Sequence, residues 1–322
     1  MTATKKKQAE MGGFLAPFGQ ELMRGRKPGL GGTLMKSLSS HPRYYEQKTA
    51  AEARVGRTLT PEEFERDHWR TPDSEIISGT SIFDPVLCEL VYRWFCAPGG
   101  LVLDPFAGGS VRGIVASKLG RRYIGIDLRP EQIAANEAQA ERLCDEGQPR
   151  PRWITGDSYD LATLVAGAEA DLVFSCPPYA DLERYSDNPA DLSTMLYPAF
   201  LAAYRAIVAA AVAQLRVDRF ACFVVGDIRD KLGFYRRFVS DTEQAFEDAG
   251  ARLYNEAILV TSVGSLPIRA AKQFESGRKL GKTHQNVLVF CKGDPRRATQ
   301  AVGAVEFGAL EDAPAAGAET SA

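Results

Sequence analysis

The stretch that decides the fold reads LVLDPFAGGSVRGIVASKLGRRYIGIDL, residues 101–128. It begins with a short apolar run that ends in Asp104-Pro105, and a glycine-rich turn follows. The segment VRGIVASKLG then has the pattern of a helix that stops at Gly120. RYIGIDL is a second apolar strand, and it too ends in an acid, Asp127. The stretch therefore predicts a strand, a covering helix and a second strand.

The same alternation continues toward residue 293. Further apolar strands are predicted at 152–158, 170–175, 220–230, 255–262 and 285–293, with helices at about 130–147, 196–216 and 239–249. The strands are continuously apolar, which is typical of a parallel sheet covered on both faces. The predicted fold class is therefore α/β, a Rossmann-like, doubly wound and mostly parallel sheet of seven strands.

Composition limits the classes of protein to consider. The 322 residues are 45% hydrophobic and 25% charged with a formal net charge of −2, so no overall basic field attracts nucleic acid. Six scattered cysteines without a Cys-x-x-Cys pair, and three histidines, argue against a disulfide scaffold and against a metal centre. No secretory signal or membrane-spanning run is evident, so we expect a cytoplasmic protein without membrane contact.

Three regions are predicted along the chain. Residues 1–79 form a flexible, partly helical extension with a cap at Thr60, residues 80–295 form the α/β domain, and residues 296–322 form a disordered tail. Within the α/β domain, three loops at about 180–199, 227–240 and 262–285 follow strands and are expected to carry target recognition.

Polar residues follow four successive strands: Asp104, Asp127, Asp157 and the turn 175–179. Ligands of such a sheet bind beyond the carboxyl ends of the strands. A single acid at such a position more often caps the next helix, but three acids and a stiff turn at successive ends favour a binding site.

The turn DPFAGGS, 104–110, suits a ligand that carries no phosphate at this point. Its glycines let the backbone approach a ligand closely, but the Gly-x-Gly-x-x-Gly run of dinucleotide sites is absent. Asp104 suits an amino group, Asp127 the two hydroxyls of a ribose, and Asp157, with Ser158 beside it, an adenine amine. Amino acid, ribose and adenine together describe S-adenosylmethionine.

DPFAGGS followed by SCPPY, 175–179, resembles the exocyclic-amino methyltransferases of DNA, whose signatures are an Asp-Pro-Phe-x-Gly turn and an (Asp/Asn/Ser)-Pro-Pro-(Tyr/Phe) turn. The resemblance extends over most of residues 80–292, and several neighbouring segments are similar to phage and prophage methylases. It implies a class I methyltransferase fold that uses S-adenosylmethionine on double-stranded DNA with a flipped base. The implied cofactor contacts are Phe83, Asp104, Pro105, Phe106, Gly108, Asp127, Asp157 and Ser158.

The second turn supplies the chemistry that the resemblance implies, through Ser175, Cys176, Pro177, Pro178 and Tyr179. An aromatic amine is a poor nucleophile because its lone pair is delocalised into the ring. Two acceptors that hold its N–H groups would favour a pyramidal nitrogen, and a stiff Pro-Pro offers one fixed carbonyl. The first side chain of the motif offers the second acceptor, and the tyrosine ring can stack on the extruded base.

Cys176 departs from the family pattern, because it stands where Asp, Asn or Ser is expected. Either Ser175 accepts the amine hydrogen or the backbone carbonyls do most of the holding. A nucleophilic role for Cys176 is disfavoured, since cytosine-C5 enzymes place their cysteine after Pro-Pro. The small, neutral first position slightly favours N4 of cytosine over N6 of adenine.

The polynucleotide is expected to contact a basic loop between the last two strands, and RDKLGFYRRF, 229–238, is a second basic and aromatic patch. The loop's basic residues are Arg269, Lys272, Arg278, Lys279 and Lys282. Three alternatives stay open: an RNA base-amine methyltransferase, a catalytically silent nucleic-acid-binding module, and a nicotinamide dehydrogenase. A homodimer, a companion restriction enzyme and a phage origin are also left open by the sequence.

Overall fold

The computed structural model describes residues 44–60, 63–64, 83–180, 184–260 and 266–305. Contacts divide the chain into two units. In the described part, residues 44–60, residues 63–64 and the segment 266–283 belong to one unit, and residues 83–259 and 284–305 belong to the other. The larger unit holds the sheet.

The sheet unit contains seven strands. Nine α-helices are described in the two units together. The strands are β1 Leu101–Asp104, β2 Arg122–Asp127, β3 Arg152–Thr155, β4 Ala170–Ser175, β5 Leu215–Val225, β6 Arg252–Val260 and β7 His284–Lys292. The helices are α1 Tyr44–Val55, α2 Pro85–Phe95, α3 Val111–Lys118, α4 Pro130–Leu143, α5 Leu161–Leu164, α6 Tyr197–Gln214, α7 Phe238–Asp248, α8 Leu266–Gly277 and α9 Pro295–Val302.

The strand order is β3-β2-β1-β4-β5-β7-β6. Strands β3, β2, β1, β4 and β5 pair in parallel, and β7 runs antiparallel to β5. This confirms the predicted α/β fold with a mostly parallel, seven-stranded sheet. Strand order reverses between β1 and β4, so the carboxyl ends of these two strands flank the point where such sheets bind ligands.

The core lies on both faces of β4, whose six residues are all buried. On one side, α6 packs its Phe200, Tyr204 and Val208 into the main hydrophobic cluster. Farther along the sheet, Phe246 of α7 stacks on Phe290 of β7 with ring centroids 4.0 Å apart. Each such side chain stabilises the fold by about 1.5–3 kcal/mol on burial. Helix α6 is also long and apolar enough to cross a membrane, but that test is passed equally by core helices such as this one.

Two segments differ from the sequence prediction. The range 262–285, predicted as a loop, contains helix α8, because Pro267 in the first turn is followed by good helix formers. Helix α9 extends regular structure to Val302, into the range predicted as a disordered tail. Asp294 caps it by accepting from two backbone amides. The predicted cap at Thr60 is confirmed, since Thr60 and Glu63 accept each other's backbone amides.

Candidate active site at the carboxyl ends of the strands

Asp104, the last residue of β1, is the centre of a buried polar network. Its carboxylate is 0% exposed and accepts hydrogen bonds from Arg112 Nε at 2.6 Å, Tyr123 Oη at 2.7 Å and Ser175 Oγ at 2.5 Å. The backbone N–H of Phe106 donates to it as well, at 3.1 Å. Four donors satisfy this carboxylate, as a buried charge requires.

Arg112 carries the countercharge and ties down the turn that follows β1. Its Nη2 donates to the carbonyls of Phe106 at 2.6 Å and Ala107 at 2.9 Å, and its guanidinium lies 4.6 Å from the ring centre of Phe83. Burial alone lowers the pKa of Arg112, but the adjacent Asp104 outweighs burial and raises it. Arg112 therefore stays protonated throughout the physiological range.

The structure corrects the role predicted for Asp104. A carboxylate that holds the amino group of a ligand must face the ligand, whereas this one points into the core and is occupied by protein donors. Its observed contacts orient the turn 104–110. The roles of Arg112 and Tyr123 were not predicted from the sequence. For Arg112, the available signal was an arginine in the first turn of an otherwise buried helix.

The glycine turn is held by hydrogen bonds to its backbone, and the space next to its glycines is open. Gly108 has φ +51°, its N–H donates to Asp127 Oδ2 at 3.0 Å, and its carbonyl accepts from the buried Asn136 Nδ2 at 2.7 Å. A Cβ placed on Gly108 or on Gly109 would meet nothing within 4 Å. The turn thus offers open space over a fixed backbone, which is what a closely bound ligand needs.

Asp127 and Asp157 keep partly exposed carboxylates. Asp127 accepts from Gly108 and from the Arg129 N–H at 2.9 Å, and 13% of its side chain is exposed. Burial raises the pKa of Asp127, although those two hydrogen bonds oppose the shift. Asp157 accepts from the Tyr159 N–H at 2.9 Å and caps the short 3₁₀ helix Ser158–Asp160. Both acids retain oxygen lone pairs for a ligand's hydroxyl or amine groups.

Other predicted cofactor contacts have mainly structural partners. Ser158 is buried and donates to the carbonyl of Pro105 at 2.5 Å, which joins the end of β3 to the turn after β1. The partly buried ring of Phe83 packs edge-on against Phe174, with centroids 5.6 Å apart. Phe106 stacks on Tyr204 at 6.1 Å. The structure therefore brings the predicted cofactor contacts to one edge of the sheet, but only some of their side chains face outward.

The Ser-Cys-Pro-Pro-Tyr turn follows β4 directly. Ser175 is fully buried and donates its hydroxyl to Asp104, so it is not placed to accept from a substrate amine. Pro177 is buried, whereas Cys176, Pro178 and Tyr179 are partly exposed. The interpretation that gave Ser175 the accepting role is therefore corrected, and Cys176 is the first residue of the turn with an exposed part.

Tyr179 is fixed by contacts that the sequence did not reveal. Its hydroxyl accepts from Gln285 Nε2 at 2.5 Å and also bonds with Cys176, and burial raises its pKa well above the ordinary tyrosine value. Its ring packs edge-on against Phe238, with centroids 5.9 Å apart. Gln285 reaches this edge because β7 is antiparallel, so its first residues lie at the carboxyl ends of the parallel strands. An antiparallel last strand was the available signal.

The basic residues predicted to bind DNA lie in the other unit or outside the described side chains. The side chains of Arg269 and Lys272 fall outside the described part. Arg278 follows α8 with φ +52°, and its guanidinium lies 4.9 Å from the ring centre of Phe274. Lys279 and Lys282 are partly exposed. Their role in binding DNA stays a prediction.

Comparison with known proteins bears on this arrangement. A family model described as DNA methylase matches residues 66–138. The Type II methyltransferase M.PvuII of Proteus hauseri is 30% identical over 90 residues, 26% of this chain and 26% of that protein. The Type II methyltransferase M2.DpnII of Streptococcus pneumoniae is 49% identical over 45 residues, 13% of this chain and 17% of that protein. The chain thus spans about a quarter or less of the curated relatives it matches.

Among solved structures, TrmN from Thermus thermophilus aligns with a TM-score of 0.44 and 17% identity, over 67% of this chain and 51% of that one. A likeness this slight adds nothing to the strand order. The matched segments are similar to DNA methyltransferases, in agreement with the predicted resemblance to the exocyclic-amino DNA methyltransferases. They resolve neither the base that is methylated nor the phage type.

Proposed function

We propose that this protein transfers a methyl group from S-adenosylmethionine to an exocyclic amine of a base in DNA. One observation carries the proposal. The glycine turn after β1 and the Pro-Pro-Tyr turn after β4 lie at adjacent strand ends, and the Ser175–Asp104 hydrogen bond of 2.5 Å joins them. A cofactor turn and a base-holding turn locked side by side suit a reaction between two bound groups.

The residues present fit the cofactor. Gly108 and Gly109 leave open space against the backbone, the partly exposed Asp127 suits the ribose hydroxyls, and Asp157 suits the adenine amine. Bound S-adenosylmethionine would supply an electrophilic methyl group on a positively charged sulfur. The chain's own contribution is to hold that group against a turn whose geometry is set by Arg112 and Asp104.

The base would be held by the outer side of the second turn. The carbonyl of Cys176 or Pro177 is the fixed acceptor for one amine hydrogen, because the two prolines limit its reorganisation. With Ser175 turned inward, the second acceptor is the Cys176 thiol or another carbonyl of the turn. Tyr179, oriented by Gln285 and Phe238, would stack on the base.

This geometry requires the target base to leave a duplex, so base flipping is part of the proposal. Double-stranded DNA would be held by basic residues around the site and in the segment 269–282. N4 of cytosine is slightly favoured over N6 of adenine, because the first position of the turn is small and uncharged. A homodimer remains compatible with these residues.

The deciding experiment is nucleoside analysis. Purified protein is incubated with unmethylated duplex DNA and S-adenosylmethionine, the DNA is digested, and the nucleosides are identified by mass spectrometry. N4-methylcytosine or N6-methyladenine supports the proposal and identifies the base. C5-methylcytosine would instead assign a nucleophilic role to Cys176. Methylation of RNA alone, in a parallel reaction, would contradict the assignment to DNA, and a reaction without the protein serves as the negative control.

A further inference from the structure

A short hairpin follows β5 and stands beside the Pro-Pro-Tyr turn. We call residues 228–236 the β5 hairpin. The Arg236 N–H donates to the carbonyl of Ile228 at 2.9 Å, and the Asp230 N–H donates to the carbonyl of Phe234 at 2.8 Å. The Asp230 side chain accepts from the Phe234 N–H at 2.9 Å, and its carbonyl accepts from Gly233 at 3.0 Å. These bonds hold the two arms together and close the tip.

The arms are stiffened further by an arginine. Arg229 and Tyr235 face each other as a bridged pair, and the guanidinium lies 3.9 Å from the ring centre of that tyrosine. The same guanidinium donates to the carbonyl of Gly233 at 2.8 Å. A cation stacked on an aromatic face and bonded to the tip makes the hairpin a preformed element.

The tip carries two large apolar side chains in solvent. Leu232 is 82% exposed and Phe234 is 71% exposed. Two exposed apolar side chains of this size, one residue apart on a braced hairpin, are unfavourable in water. Phe234 takes part in the hairpin's hydrogen bonds through its backbone, so its side chain is not needed for them.

Residues that flank the two ends of the hairpin lie next to Tyr179. Gly226, two residues before the hairpin, is so close that a Cβ there would stand 4.0 Å from the Tyr179 hydroxyl. Phe238, two residues after it, packs against the Tyr179 ring at 5.9 Å. Asp227 accepts from the Val239 N–H at 3.1 Å and closes the base of the loop. The hairpin therefore rises from the walls of the proposed base site.

Charge selects the partner that the tip fits. Residues 228–237 contain four basic residues and one acid, in a chain whose net charge is −2. Cations flanking an apolar tip suit a polyanion with an apolar interior, namely stacked base pairs between two phosphate backbones. An apolar tip alone would suit a protein partner, but the surrounding positive charge favours the duplex.

We propose that the β5 hairpin inserts Leu232 and Phe234 into the duplex, where they fill the space left by the extruded base while the flanking cations contact phosphates. This rests on the proposed function, because it requires a flipped target base. The insertion matters only while a base pair has to be broken, so its contribution should vanish when pairing is already absent.

The test uses the full chain and two duplexes. After the methylated position has been mapped by the nucleoside experiment and sequencing, one duplex carries the intact base pair and the other has an abasic site opposite the target base. The double variant Leu232→Ser with Phe234→Ser is compared with the wild type. We expect kcat/KM to fall about tenfold or more on the paired duplex and less than about threefold on the abasic one, because only the paired duplex has a base pair to break.

Val217→Ser is the matched control, since Val217 is also 64% exposed but lies at the opposite end of β5. It should leave both rates unchanged. Equal loss on both duplexes, or no loss on the paired one, would overturn the insertion. A change in oligomeric state measured by light scattering without a selective loss would assign the tip to a second copy instead. If the wild type forms no methylated nucleoside in the mapping step, the proposed function itself is contradicted.

Discussion

The hydroxyl of Ser175 donates to the carboxylate of Asp104 across 2.5 Å, so one hydrogen bond joins the ends of β4 and β1. Both residues are fully buried. The turn proposed to hold the cofactor and the turn proposed to hold the base therefore share one anchoring point. A displacement of either turn would be transmitted to the other, because a buried polar group that loses its hydrogen bond is left unsatisfied.

The Arg112–Asp104 pair is expected to be a major stability element. Arg112→Met removes the countercharge and leaves a buried carboxylate, which should lower the free energy of unfolding by about 3–5 kcal/mol. Adding Asp104→Asn to that variant should recover part of the loss, because the uncompensated charge disappears. Urea denaturation measures both effects. Arg150→Met, which breaks an exposed pair with Glu141, is the control and should cost less than about 1 kcal/mol.

The two first positions of the second turn should respond oppositely to substitution. Ser175→Ala removes the hydroxyl that reaches Asp104 and should destabilise the chain by about 1–3 kcal/mol while lowering kcat. Cys176→Ser replaces a weak acceptor by a better one at the outer face and should retain or increase kcat. Methyl transfer from radiolabelled S-adenosylmethionine measures both. An inactive Cys176→Ser variant that still folds would indicate a thiol-specific role.

Tyr179 should act through its ring. Tyr179→Ala should lower kcat/KM for DNA by about tenfold or more, in line with stacking worth about 1–3 kcal/mol per base. Tyr179→Phe keeps the ring and loses only the hydroxyl that accepts from Gln285, so its loss should be much smaller. Steady-state kinetics with DNA as the varied substrate distinguishes the two. Equal losses would mean that the hydroxyl, rather than the ring, is required.

We expect the affinity for the cofactor to depend on pH through the carboxyl group of Asp127. Burial raises its pKa, so the folded chain holds this proton more tightly than the unfolded chain does. Its contribution to folding stability is therefore largest at acidic pH and is lost as the pH rises through the raised pKa. Cofactor affinity should run the other way, because only the ionised carboxylate is a full acceptor for ribose hydroxyls.

Calorimetric titration with S-adenosylmethionine over a series of pH values from acidic to neutral checks this. Affinity should fall on acidification in the wild type, with a midpoint above the ordinary aspartate range. Asp127→Asn should bind more weakly and show a flatter profile. A wild-type profile as flat as that of the variant would exclude Asp127 from the cofactor site.

Much of the site could be located from the sequence because parallel strands bring their carboxyl ends to one edge. The acids after β1, β2 and β3 and the turn after β4 do meet there. The direction of each side chain could not be predicted. An aspartate and a serine at positions 104 and 175 are equally consistent with contacts to a ligand and with contacts to each other. The helix in the range 262–285 was missed because glycines and basic residues around it are typical of a loop.

The sequence by itself determined the order of strands and helices, the resemblance to DNA methyltransferases, and the positions of the two turns, because these depend on local hydrophobic pattern and on residues close together in the chain. Tertiary structure decided the roles. It paired Asp104 with Arg112 and Ser175, brought Gln285 to Tyr179, and set the base of the β5 hairpin beside that tyrosine. Residues far apart in the chain meet only when the sheet assembles, and burial then determines which polar groups are occupied and which face a ligand.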